Sequence, residues 1–83
     1  MSENTVEKRM ARRFRVLKGG TIAFEGNGIA CTVRNLSSSG AAIELASAVR
    51  LPPSFMLVIE TDRFIRRCRP VWSNERRVGV AFA

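Results

Sequence analysis

The chain has 83 residues, of which 46% are hydrophobic and 25% charged, so we expect one small folded domain with no room for a separate catalytic domain. Fourteen Lys and Arg against seven Asp and Glu give a net charge of +7, and twelve of the fourteen cations are Arg. Because a guanidinium forms two parallel hydrogen bonds with a phosphate or a guanine edge, this preference for Arg indicates an anionic partner.

Several functional classes are excluded by what the sequence lacks. It has no His, and Cys31 and Cys68 lie 37 residues apart, so zinc-ligand spacing and Cys-His or Ser-His-Asp constellations are absent. We therefore expect no metal, no catalytic residue and no enzyme activity.

The longest uncharged stretches have nine residues, which is too short to span a membrane. Residues 1–8 do not resemble a secretory signal, so we expect a cytoplasmic protein.

Apolar residues recur with period two in short segments separated by turn residues, a pattern typical of all-β proteins. The predicted strands cover residues 21–25, 29–34, 41–46, 55–60, 63–72 and 76–82. Tight turns are expected at residues 26–28, 61–62 and 73–75, where Gly, Asn, Asp and Ser are concentrated. A small antiparallel barrel of about six strands fits this length, and closure removes exposed strand edges.

Alternation within the segments predicts which side chains fill the barrel. The inward set is Ile22, Phe24, Ile29, Cys31, Val33, Ile43, Leu45, Val78, Val80 and Phe82. We interpret Cys31 as a small core residue rather than a reactive thiol, and Trp72 as a core aromatic rather than a stacking platform. Alternation fails over residues 63–72, where both faces mix charged and apolar side chains, so we expect a bulge or a strand bend there. Pro70 indicates an edge position or an irregularity as well.

Residues 1–18 are a basic segment that we call the N-terminal arm. Val6, Met10 and Phe14 are spaced by four, but they form no wider apolar stripe, so we predict no stable helix. We expect a flexible arm over residues 1–18, followed by the barrel over residues 19–83.

Two motifs carry polar chemistry. Arg9 and Arg13 form an Arg-x-x-x-Arg spacing, and Asn35, Ser37 and Gly40 form an Asn-x-Ser-x-x-Gly spacing between two predicted strands. In this order and spacing, the motifs resemble those of PilZ domains, small split-barrel receptors for the bacterial second messenger cyclic di-GMP. The resemblance extends over nearly the whole chain, through residues 17–20, 31–37, 71–72 and 78–82.

The resemblance implies cyclic di-GMP as the ligand, with no cofactor, and a role for each matching residue. Arg9 and Arg13 would contact its phosphates and guanine edges, while Asn35, Ser37 and Gly40 would shape the pocket wall against a guanine. The chemistry is suitable, because guanine displays O6 and N7 acceptors that match an Arg side chain. Further candidates for ligand contacts are Arg12 and Arg15.

The resulting hypothesis is a non-catalytic receptor in which ligand binding orders the N-terminal arm and presents a new surface to a downstream protein partner. One alternative is a PilZ-like adaptor that binds protein but no nucleotide. The other is a small-barrel nucleic-acid binder, favoured by the charge of +7. Against it, the chain has no Tyr and its aromatic residues fall mostly on predicted core faces, which leaves few platforms for stacking bases.

Overall fold

The architecture is a closed barrel of six antiparallel strands, seen in a computed structural model that describes residues 14–83. In chain order the strands are β1 (Phe14–Phe24), β2 (Asn27–Leu36), β3 (Gly40–Leu45), β4 (Phe55–Ile59), β5 (Phe64–Asn74) and β6 (Arg77–Phe82). In this part of the chain the one helical element is a 3₁₀ turn, Glu60–Asp62. No helix there is long and apolar enough to cross a membrane. The prediction of an all-β barrel of about six strands is confirmed.

Around the barrel the strands follow the order β1-β2-β3-β6-β5-β4, and β4 pairs with β1 to close it. Alternate side chains point inward and form one core, as the period-two pattern predicts. The buried members are Ile22, Cys31, Val33, Ile43, Leu45, Phe55, Leu57, Ile59, Cys68, Val78 and Val80. Phe24, Ile29 and Phe82 pack against them. The predicted inward faces are therefore confirmed.

Strand β1 begins at Phe14, seven residues before the predicted start at residue 21. It pairs with β2 along its whole length, from Phe14 opposite Leu36 to Phe24 opposite Asn27, with an irregularity between Arg15 and Lys18. That irregularity interrupts the alternation that a sequence pattern relies on. The predicted N-terminal arm overlaps the strand at residues 14–18, and its residues 1–13 lie outside the described part of the chain.

The hairpin between β1 and β2 turns at Glu25 and Gly26, whose φ angles are 50° and 76°. Positive φ at both central residues is the requirement of the two-residue type I′ turn, which matches the twist of the flanking strands. The sequence predicts the turn at residues 26–28, but Asn27 pairs with Phe24 and already belongs to β2. The turn therefore begins one residue earlier than the Gly and Asn pattern indicates.

Both cysteines are buried and unpaired. Burial raises the pKa of Cys31 to about 11, with a smaller contribution from the neighbouring Cys68 thiol, and burial also raises the pKa of Cys68. A thiol with a raised pKa stays protonated near neutral pH and is a poor nucleophile. This agrees with the interpretation of Cys31 as a core residue.

Candidate functional site

The Asn-x-Ser-x-x-Gly motif forms the connection between β2 and β3. Ser37 organises this loop: its hydroxyl accepts hydrogen bonds from the backbone N–H groups of Ser39 at 3.2 Å and Gly40 at 3.1 Å. It also donates to the carbonyl oxygen of Gly40 at 3.2 Å, and the backbone N–H of Ser37 donates to the same oxygen at 2.9 Å. Local bonds of this kind are a common use of Ser in turns. The loop is thus held closed by the motif's own serine.

Gly40 starts β3 at a place where two backbones approach closely. A Cβ at this position would collide with the carbonyl oxygen of Val80 on β6. Gly40 does not have a positive φ, so the requirement for glycine comes from this approach and not from a left-handed conformation. Next to it, the backbone N–H of Phe82 donates to the carbonyl oxygen of Ser39 at 2.9 Å. Gly40 therefore lets β6 lie close to the motif loop.

A bulge in β2 sets the position of Asn35. The register between β2 and β3 shifts between Val33 and Asn35, so β2 has one extra residue there. Val33 is buried in the core, and strict alternation would place Asn35 inside as well. Asn35 instead lines a depression on the outer surface, because a bulge changes the face on which the following residues lie.

Four residues from neighbouring strands form one row across the outer surface. Asn35 pairs in register with Ala42 on β3, Ala42 with Gly79 on β6, and Gly79 with Trp72 on β5. Neighbouring strands lie about 4.8 Å apart, so the backbone distance from Asn35 to Trp72 is roughly 14 Å. Ala42 and Gly79 have little or no side chain, so the surface between Asn35 and Trp72 is low.

Trp72 is not a core aromatic, and that prediction is wrong. Its side chain is 46% exposed, and its indole lies directly on Gly79, where a Cβ would collide with the ring. The register of β5 shifts between Pro70 and Trp72, so the segment in which a bulge or a strand bend is expected contains a bulge. This bulge places Trp72 outside the barrel and leaves the preceding Val71 58% exposed.

These elements enclose a depression of about 350 Å³, which we call the indole depression. Asn35, Ser37 and Gly40 line one side and Trp72 lines the other, with small side chains between them. The structure thus brings the three predicted residues of the second motif together. Trp72 is a candidate site residue that neither motif predicts. The available signal was a single Trp just after Pro70, in a segment where alternation had already failed.

The remaining predicted site residues are on the chain that leads into the barrel. Arg15 lies on β1 and pairs in register with Asn35, so it is next to the motif. Arg9, Arg12 and Arg13 lie outside the described residues, and their part in the site stays a prediction. Within residues 14–83 no group of three or more His, Cys, Asp or Glu side chains lies close enough to hold a metal ion.

Two of the cations on β5 already have intramolecular partners. The guanidinium of Arg66 lies 4.9 Å from the centroid of the Phe82 ring, and Arg67 donates to the Ser54 hydroxyl at 3.1 Å. A cation above an aromatic ring is attracted to its negative face. Arg66 and Arg67 therefore have roles within the barrel that require no ligand.

The fold is thus a closed six-stranded barrel with a depression lined by the second motif and Trp72. The family model of the PilZ domain matches residues 7–83, a range that contains both motifs. No curated protein matches the chain. The chain therefore belongs to the PilZ domain family, a family of cyclic di-GMP receptors, as the resemblance of its motifs indicates.

Proposed function

We propose that this chain is a non-catalytic receptor that binds cyclic di-GMP in the indole depression. The observation that carries the proposal is the convergence of Asn35, Ser37 and Gly40 with a partly exposed indole around one cavity of about 350 Å³. Binding sites for small ligands are concave and largely apolar, with a few polar groups that fix orientation. The floor of small side chains between Asn35 and Trp72 suits a flat base.

Each lining group has a chemical use toward guanine. The Asn35 amide presents both donors and an acceptor, so it can form hydrogen bonds with the edge of the base. The Trp72 indole offers an aromatic face for stacking, a contact worth about 1–3 kcal/mol per base. Gly40 and the Ser37-held loop set the shape of the wall rather than supplying most of the binding energy, since the Ser37 hydroxyl is already bonded within the loop.

Cations would come from the N-terminal arm. In this proposal Arg9 and Arg13 bind the phosphates and the guanine edge, with Arg12 and Arg15 as additional contacts. Arg15 pairs in register with Asn35, so the chain enters the barrel beside the indole depression. The ligand would fix the arm against the barrel and present a new surface to a downstream protein.

We also propose that the receptor acts in the bacterial cytoplasm. Its two cysteines are buried and unpaired, a state that suits a reducing compartment. The proposed ligand is a bacterial second messenger, which agrees with that location.

The fluorescence of Trp72 tests the proposed site, because it is the only Trp in the chain. Adding cyclic di-GMP should change its emission in a saturable manner, since a stacked base alters the environment of a partly exposed indole. The same titration of N-acetyl-tryptophanamide corrects for absorption by the nucleotide, and GTP tests selectivity. The proposed site would be contradicted if the emission of the folded protein changes only as much as that of N-acetyl-tryptophanamide at every concentration of cyclic di-GMP.

A further inference from the structure

A second depression, of about 420 Å³, lies beside the first and is lined by Arg15, Val16, Leu17, Arg34, Asn35 and Arg77. We call it the arginine depression. It shares Asn35 with the indole depression. Three strands supply its guanidinium groups: β1 carries Arg15, β2 carries Arg34 and β6 carries Arg77. The bulge of β2 falls between Val33 and Asn35, at Arg34.

Among residues 14–83, the charge around this depression is not balanced. Glu44 is the acidic partner of three cations, with nitrogen–oxygen distances of 3.3 Å to Arg34, 3.7 Å to Arg76 and 3.9 Å to Arg77. One carboxylate cannot neutralise three guanidinium groups, and Arg15 forms no ion pair with another residue in the described part of the chain. The side chains of Arg34 and Arg77 are 40% and 50% exposed, so both can reach a bound anion.

The spacing of the two depressions matches that of a base and its phosphate. The row through Asn35, Ala42 and Gly79 forms the floor of the indole depression, while Arg77 pairs in register with Glu44 two residues further along both strands. Two residues of a strand span about 7 Å. One ribose separates the base of a nucleotide from its phosphate, which is a separation of this order.

We infer that Arg15, Arg34 and Arg77 form a phosphate subsite for the phosphodiester of the nucleotide whose base occupies the indole depression. The inference rests on the proposed function and adds two residues, Arg34 and Arg77, that neither sequence motif contains. A guanidinium forms short, charge-assisted hydrogen bonds with phosphate oxygens. The barrel itself therefore contributes cations to the ligand, in addition to those of the N-terminal arm.

The test compares Arg77→Gln with Arg76→Gln in the full chain, by calorimetric titration with cyclic di-GMP. The two substitutions remove the same charge and a contact with the same carboxylate, but Arg76 lines a different depression, with Ala30 and Thr32. Arg77→Gln should weaken binding about tenfold or more, because it removes charge-assisted bonds. Arg76→Gln should weaken binding less than about threefold, since Arg76 does not line the arginine depression and forms no bond with the ligand there.

Arg34→Gln is the second variant and should lose affinity as Arg77→Gln does. Both should also show a weaker dependence of affinity on salt than the unsubstituted protein, because each removes one cation from contact with the ligand. Thermal unfolding of each variant establishes that the barrel is intact. Equal affinities of Arg77→Gln and Arg76→Gln, with normal binding by the unsubstituted protein, would overturn the phosphate subsite alone. Absence of binding by the unsubstituted protein would instead contradict the proposed function.

Discussion

Replacement of Gly40 by valine is expected to lower the free energy of unfolding by about 2–4 kcal/mol, because the new side chain has no space. Its Cβ would collide with the carbonyl oxygen of Val80, a backbone atom that cannot move without displacing β6. For a domain of this size each kcal/mol lowers the melting temperature by about 4–8 °C, so we expect a decrease of about 8–32 °C. Circular dichroism during heating measures it.

Gly19→Val is the matched control for that substitution. Gly19 lies in β1 without a positive φ, and a Cβ at this position would have no other atom within 4 Å, so valine fits there and suits a strand. Its free energy of unfolding should change by less than about 0.5 kcal/mol. Equal melting temperatures for the two variants would contradict the close approach of β6 to the motif loop.

Arg13→Ala is expected to weaken cyclic di-GMP binding by about tenfold or more while leaving the barrel folded. Arg13 is two residues before Arg15, which pairs in register with Asn35 at the edge of the indole depression. In the proposed function, Arg13 binds a phosphate or the guanine edge. Its guanidinium would be lost from contact with a phosphate or a guanine edge.

Arg50→Ala is the control for Arg13→Ala. Arg50 is exposed in the connection between β3 and β4, and its substitution removes the same charge from the protein. It should bind with the affinity of the unsubstituted protein to within about twofold, because Arg50 lines neither the indole depression nor the arginine depression. If calorimetry gives the same dissociation constant for both variants, the role assigned to the first motif is wrong.

The core of this barrel is predictable from the sequence because its strands alternate. Ile43 and Leu45 point inward with Glu44 between them, and Val78 and Val80 do the same on the last strand. An irregularity in β5 is also predictable, since charged and apolar residues mix on both faces and proline cannot donate a hydrogen bond. The local composition and the period-two alternation of apolar residues are sufficient to predict these features.

The site is less predictable, because it depends on where alternation stops. A bulge shifts each following residue to the other face, and the sequence does not say on which residue it falls. For this reason Trp72 is outside the barrel, and Asn35 faces the surface although Val33 is buried. That the indole lies on Gly79 follows only from the register of β5 against β6, a long-range pairing. The Asn-x-Ser-x-x-Gly spacing is sufficient to identify Asn35, Ser37 and Gly40, which line one side of the indole depression.

The most direct test of the receptor assignment is isothermal titration calorimetry of the purified chain with cyclic di-GMP at near-physiological salt. GTP and a short oligonucleotide serve as controls, the latter because the exposed Trp72 and the charge of +7 would also suit a nucleic acid. The proposed function predicts saturable heat that is selective for cyclic di-GMP. No heat with cyclic di-GMP from folded protein, or binding only to the oligonucleotide that collapses as salt is raised, would contradict it.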